Sequence, residues 1–498
     1  MRMSENLSKL RVHPFMIDIL LSGATQVAIL AANLVMVGLV SKSMGMAALG
    51  EYLLLKRVSS WLLTSAQLGL GIALAREIAC VVNNTEARAR HYFAAAFMLA
   101  IPLLAVICAV ALLLPHTLTQ LLFSSQQLAL IYALAFLLCG SVLQTLLFGY
   151  YRGLQRMRQA NLVQLAVLVL IPLLALAALR SYRSAPLLIE ATGICMVTIS
   201  VAWSVPILFK SRDVTAHFLS DTRQLLSYGV VRVPGDIAFG GLLTLGPMLV
   251  AHYSSMEQLS YLLLGITCLS MTGLAFWPVV MMLLAKVSKM LGAGRHEDVK
   301  EYVQQLRSAV ILLSTLVMSQ AIVFAGPLVS WWLGVSSLPG VPVICTIMVA
   351  IPAFMYYYAL RSVLDAASST PYNTRNVILS LGVFCTIAFA VIRLAPHELV
   401  LLGISATMTI ALYVLAIATD RSLRAVKLAD RAPQTSTMWI VALLAAISLA
   451  AQLAFNFEIT KIAFCIVLLA NMGLALLLLR KSRPEWLIFV SRVALSRV

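Results

Sequence analysis

AALGEYLLLKRVSSWLLTSAQLGLGI, residues 47–72, carries two messages. Its length and apolar weight are those of a helix crossing the roughly 30 Å hydrocarbon core of a bilayer. Lys56 and Arg57 nevertheless lie well inside it. At about 1.5 Å rise per residue they are roughly 14 Å deep, where snorkelling to the surface is difficult. Lys56, Ser60, Thr64 and Gln67 recur at helical spacing and give the helix one polar face. That face suits the wall of a wet cavity; the alternative is an ion pair between Lys56 and a carboxylate on a neighbouring helix.

The rest of the chain has the same character. Of 498 residues, 61% are apolar and 11% charged, against about 45–50% and about 25% in soluble domains. So few charges cannot cover a soluble surface of this size. A soluble enzyme, a nucleic-acid binder and a secreted disulfide scaffold are excluded. Apolar stretches of spanning length fall at about 16–40, 47–72, 92–115, 128–150, 161–179, 187–209, 226–251, 259–285, 308–330, 341–360, 376–394, 398–419, 437–454 and 460–479. They are too long and too uniformly apolar for barrel strands, so the expected fold is an all-α polytopic membrane protein with about 14 transmembrane helices. The first run continues to Val40 without a cleavage pattern and reads as a span rather than a signal peptide.

The net charge of +17 is explained by the loops. With the N-terminus inside, the loops on that side hold 28 Lys and Arg, the opposite loops 5, and the remaining three (Lys56, Arg57 and Arg232) lie within spans. This positive-inside bias places both termini in the cytoplasm. The longest inner connection, KVSKMLGAGRHEDVKEYVQQLR at 286–307, reads as a polar surface helix after a Gly-rich turn. Tyr356, Tyr357 and Tyr358, near a span end, read as interfacial belt residues in preference to a sugar-stacking group.

The chain also repeats. EYLLL begins at 51 and SYLLL at 260, a difference of 209, and the post-helix arginines Arg152 and Arg361 differ by 209 as well. Spans one to six and seven to twelve are therefore expected to be two pseudo-symmetric six-helix bundles, residues 1–210 and 211–420, with two further helices and a tail in 421–498. An even number of spans gives both copies the same orientation, an arrangement of transporters whose substrate site lies between the halves. The repeat does not copy the charges. Shifting by 209 puts Gly265 and Ile266 against Lys56 and Arg57, and Gly23 and Val27 against Arg232 and Asp236.

Those buried charges are the candidate site. Lys56, Arg57 and Arg232 form a cationic set suited to an anionic group such as phosphate or pyrophosphate. Gln26 and Asn33 on the first span, with Ser60, Thr64 and Gln67, would line the cavity. Asp236 follows a Pro234-Gly235 step and lies near the midplane on the 226–251 span, a candidate for a coupling ion. Being four residues from Arg232, it is equally read as half of a permanent pair. No Walker A, GxSxG, HExxH or Cys/His cluster appears, so no catalytic residue, metal site or cofactor is expected.

SKSMGMAALGEYLLLKRVSSWLLTSAQLGLGIALAREIA, YYRGLQRMRQAN and LRSVLDA together resemble the Wzx-type polysaccharide flippases. These belong to the multidrug/oligosaccharidyl-lipid/polysaccharide (MOP) exporter superfamily, whose fold is MATE-like. The resemblance covers spans one to twelve. It implies translocation of an undecaprenyl-pyrophosphate-linked oligosaccharide between leaflets of the bacterial cytoplasmic (inner) membrane, through a cationic cavity. It further implies antiport of H+ or Na+ and partnership with polysaccharide polymerase and chain-length machinery. A lipid II flippase is the main rival; its relatives resemble one another in placing arginines in the first span, where this chain has none. A multidrug extruder would present acidic residues to cationic drugs. A membrane polymerase or ligase would carry a long periplasmic loop, which is absent from this span map.

Overall fold

A computed structural model describes residues 14–80, 86–211, 218–230, 233–368 and 370–429, together with Gly473. Among these residues every regular element is helical. Lipid offers no hydrogen bonds to an exposed backbone, so apolar runs of this length satisfy their own amides as helices. Nine helices are long and apolar enough to span a membrane, and two bent pairs bring the number to eleven. The remaining expected span, 259–285, falls within a helix over Met256–Gly292. The protein is a multi-pass, all-α membrane protein. The expected spans at 437–454 and 460–479, and the tail after them, lie outside the described residues.

The first series runs α1 Pro14–Met44, α2 Met46–Ala66, α3 Leu70–Cys80, α4 Glu86–Leu113, α5 Pro115–Phe123 and α6 Ala129–Gly153. It continues with α7 Met157–Leu165, a π-turn at Ala166–Leu170, α8 Ile171–Leu179, α9 Ala185–Phe209 and α10 Phe218–Gly229. The second comprises α11 Val233–Tyr253, α12 Met256–Gly292, α13 His296–Val323, α14 Ala325–Leu333, α15 Val341–Met348, α16 Ile351–Ala367, α17 Tyr372–Leu394 and α18 Val400–Ala425. Prolines at the first positions of α5, α9, α15 and α16 mark helix starts, where the missing N–H is no loss.

The duplication is visible in element boundaries. α4 and α13 each have 28 residues, and α5 and α14 each have 9. All four boundaries move by 210: 86 to 296, 113 to 323, 115 to 325 and 123 to 333. The copies differ in where they bend. The second span is broken, α2 meeting α3 at 49°, whereas its counterpart α12 is one helix. Conversely α6 is one helix, while its counterpart bends by 42° between Met348 and Ile351.

By contacts the chain divides into two units. The first runs to Met44 and from Leu55 to Pro234, and the second takes Gly45–Leu54 and the described residues from Gly235 on. In the first, α6 and α9 pack so closely that a Cβ on Gly140 would meet the Met196 Cβ at 2.6 Å, and one on Gly193 the Leu137 amide nitrogen at 2.6 Å. Small residues at such crossings let helix backbones approach where lipid supplies no hydrophobic drive. Leu70, Phe93, Leu146 and Val167 fill the core around them. In the second, α12 packs on α15 and α16, and α18 on α16 and α17.

Three expectations change here. The 47–72 run breaks after Ala66, where Leu68 has φ 47° and Gly69 φ 72°. The seventh span starts at Val233, not 226, because Pro234 begins a helix more readily than it continues one. The polar surface helix at 286–307 does not exist as a separate element. α12 runs on to Gly292, Gly294 turns the chain at φ 71°, and α13 carries the polar residues straight into the next span.

Candidate functional site

Lys56 is half-buried on α2 and donates from Nζ to Asn33 Oδ1 on α1 at 2.7 Å. Asn33 Nδ2 donates to the Ile29 carbonyl at 2.9 Å, which turns the amide oxygen toward the ammonium. A neutral amide satisfies a donor without cancelling its charge. Arg57 is half-buried on the same turn. Gln26 Nε2 donates to Gln164 Oε1 at 3.3 Å, and Asn161 Nδ2 donates to Ser22 Oγ at 3.2 Å. α1 therefore carries one polar seam toward α7 and a second polar contact to Lys56. The π-turn at Ala166–Leu170 follows the seam directly, a distortion frequent at functional sites.

On the remaining face of α2, Ser60 is exposed, and Thr64 and Gln67 are half-buried. Gln67 closes that face at the break. Its Oε1 is buried with no hydrogen-bond partner, a condition costing about 1–3 kcal/mol. Behind the break, α10 is tied to α3 and α4. Arg88 donates to both oxygens of buried Asp221, at 3.0 and 2.5 Å. Tyr92 Oη donates to Gln224 Oε1 at 2.9 Å, and Gln224 Nε2 to Glu77 Oε2 at 2.7 Å.

In the second unit, Asp236 lies in the first turn of α11, about 4.5 Å along its axis. It is therefore near a helix end and not at the depth the 226–251 span implied. Its partner there is Arg361 of α16, at 3.9 Å. Arg361 entered the sequence reading only as a marker of the repeat. Arg232 lies outside the described residues. Arg361 also sits 6.0 Å from the Tyr357 ring centroid.

The tyrosine run turns inward. Tyr356 and Tyr357 are 6% and 3% exposed, which removes them from any lipid belt. Tyr356 Oη donates to Asp420 Oδ1 at 2.6 Å and accepts from Arg307 Nε at 2.9 Å. Asp420 is gripped by Arg307 and Arg424 together. Arg307 was counted among the loop cations, yet it is fully buried. Among the described residues no group of three or more His, Cys, Asp or Glu could hold a metal ion. Sequence spacing could not have shown Asn161, Gln164, Asp221, Arg307 or Arg361 in these roles, because each acts on a helix distant in the chain.

The fold has solved counterparts. The lipid II flippase MurJ, in an inward closed conformation, matches with a TM-score of 0.67 at 12% identity, over 96% of this chain and 100% of that one. The Vibrio cholerae MATE transporter VcmN, in its bent form, matches at 0.53 and 16% identity, over 82% of this chain and 97% of that one. The eukaryotic MATE transporter AtDTX14 matches at 0.53 and 11% identity, over 86% and 100%. No family model and no curated protein matches the sequence. At these identities the likeness establishes the fold: that of a polytopic membrane protein shared by a flippase and MATE transporters.

Proposed function

We propose that the protein flips an undecaprenyl-pyrophosphate-linked oligosaccharide from the cytoplasmic to the periplasmic leaflet of the bacterial inner membrane, for polysaccharide biosynthesis. It belongs on this reading to the MOP exporter superfamily and works by alternating access of its two six-helix bundles. The observation that carries the proposal is Lys56, a cation inside a membrane span held by the neutral Asn33 amide at 2.7 Å. A site that keeps a positive charge positive at that depth is made for an anion. Lys56, Arg57 and Arg232 bind the pyrophosphate. Gln26, Asn33, Ser60, Thr64 and Gln67 line the path of its polar head. Asp236, facing Arg361, takes up and releases H+ or Na+ as the carrier turns over. The delivered lipid passes to polymerase and chain-length machinery.

The test is a deletion strain, in which the lipid-linked intermediate accumulates and its glycan can be isolated and identified. Replacing both Lys56 and Arg57 with Gln should abolish export with the protein still in the membrane, and Arg57→Lys should retain more activity than Arg57→Gln. Normal export by the double variant would remove the anion-binding role.

A second reading, lipid II flipping, is favoured by the match to MurJ over the whole of that chain. The two readings separate by complementation. Rescue of a strain depleted of its lipid II flippase selects the second; glycan-specific accumulation on deletion selects the first.

A further inference from the structure

The aromatic residues of the second unit form a wall with a charged fork at one end. On α16, Phe354, Tyr357, Tyr358 and Arg361 follow i, i+3, i+4 and i+7, one stripe of the helix. Phe239 of α11 stacks on Phe354 (centroids 6.2 Å apart, planes at 21°), and Phe354 on Tyr358 (5.7 Å, 18°). Phe239 also meets Tyr357 at 5.2 Å. Gly273 makes room for this wall, since a Cβ there would meet Phe354 Cε1 at 2.8 Å. Phe354 and Tyr357 are buried, while Phe239 and Tyr358 are half-exposed. The wall thus presents ring edges and faces at a partly open surface.

The fork is Arg361 and Asp236, with side chains 32% and 39% exposed and 3.9 Å apart. That separation is beyond a hydrogen bond. It admits a hydroxyl that accepts from the guanidinium and donates to the carboxylate, at about 2.8 Å to each. Beside them, Asn373 Nδ2 is held by Asp365 Oδ1 at 2.8 Å and by the Arg361 carbonyl at 2.7 Å, which leaves its buried Oδ1 without a partner.

An apolar aromatic shelf beside a planar donor fork and a carboxylate matches a sugar, whose C–H face is apolar and whose rim carries hydroxyls. We infer that Phe239, Tyr357, Tyr358, Arg361 and Asp236 form a saccharide subsite. It rests on the reading of the cargo as a lipid-linked glycan and assigns the glycan to the second unit, apart from the pyrophosphate cations of the first. A structural core would bury the ion pair and close it to hydrogen-bond distance. Placing a hydroxyl between Asp236 and Arg361 also lets the cargo adjust the coupling carboxylate directly.

The test uses the full chain in nanodiscs, with methyl glycosides of glucose, galactose, rhamnose and N-acetylglucosamine as probes in saturation-transfer NMR. Inorganic pyrophosphate, titrated by calorimetry, forms a separate arm. At least one glycoside should bind through one face of its ring. Tyr358→Ala and Arg361→Met should each weaken it about three- to tenfold. Tyr358→Phe should retain it, which controls for folding, and none of the three should change pyrophosphate affinity. A glycoside signal that is absent from the unaltered protein, or unchanged in both weakening variants, overturns the subsite. Glycoside binding of the expected pattern without pyrophosphate binding would instead sink the flippase reading and leave the subsite standing.

Discussion

Lys56 keeps its charge because the group facing it is an amide, and that is a single-atom distinction. Asn33→Asp would put a carboxylate at the same 2.7 Å and cancel the cation. Pyrophosphate affinity should fall about tenfold or more, read by calorimetry on protein that elutes normally in detergent. Asp236 is the second decisive residue. Asp236→Asn should fold and bind cargo yet lose its dependence on the ion gradient; unchanged antiport in proteoliposomes would end its coupling role. A purely structural pair would behave otherwise, failing to fold as Asp236→Asn and recovering when Asp236 and Arg361 are exchanged. The third is Asp420. Asp420→Asn strands Arg307 and Arg424 and should cost about 3–5 kcal/mol, seen as a lower thermal midpoint. Replacing Arg307 and Asp420 together with Met and Leu should recover much of that loss, since no unpaired buried charge then remains between them.

Among the elements, the break between α2 and α3 governs what the first unit can do. Gly69 holds a φ of 72°, and a Cβ there would meet the Gly229 Cα and carbonyl oxygen at 2.7 Å. The start of α3 and the end of α10 thus touch backbone to backbone. Gly69→Ala should cost about 1–3 kcal/mol from strain and crowding. Hydrogen exchange should speed up in α10 ahead of α6. This break was not legible in the sequence. QLGLGI is apolar enough to pass as helix on hydropathy, and only the contact with Gly229, far along the chain, makes Gly69 necessary. The spans themselves were legible, because twenty apolar residues form a helix in lipid whatever packs around them. The site was legible by halves. Lys56 betrays itself as a charge in a span, whereas Arg361 and Arg307 lie near span ends and look like ordinary loop cations until their partners arrive.

For the whole molecule, the shared offset of 210 in α4, α5, α13 and α14 argues that two copies of one bundle build the carrier, while the differing bends make them unequal partners. Topology follows from the loop bias: reporter fusions after Arg158 and His296 should be cytoplasmic, and those near Ser125 and Ser336 periplasmic. A periplasmic result at His296 would break the duplicated arrangement. Buried Arg307 also sets a timetable for biosynthesis. Its carboxylate partner lies 113 residues downstream, so at about 5–20 residues per second the ribosome needs roughly 6–23 s to deliver it. Until α18 emerges, Arg307 has no counter-charge in the membrane, and the start of α13 must wait at the water interface. The second bundle therefore cannot close in the order in which it is made; its last helix admits one of its earlier ones.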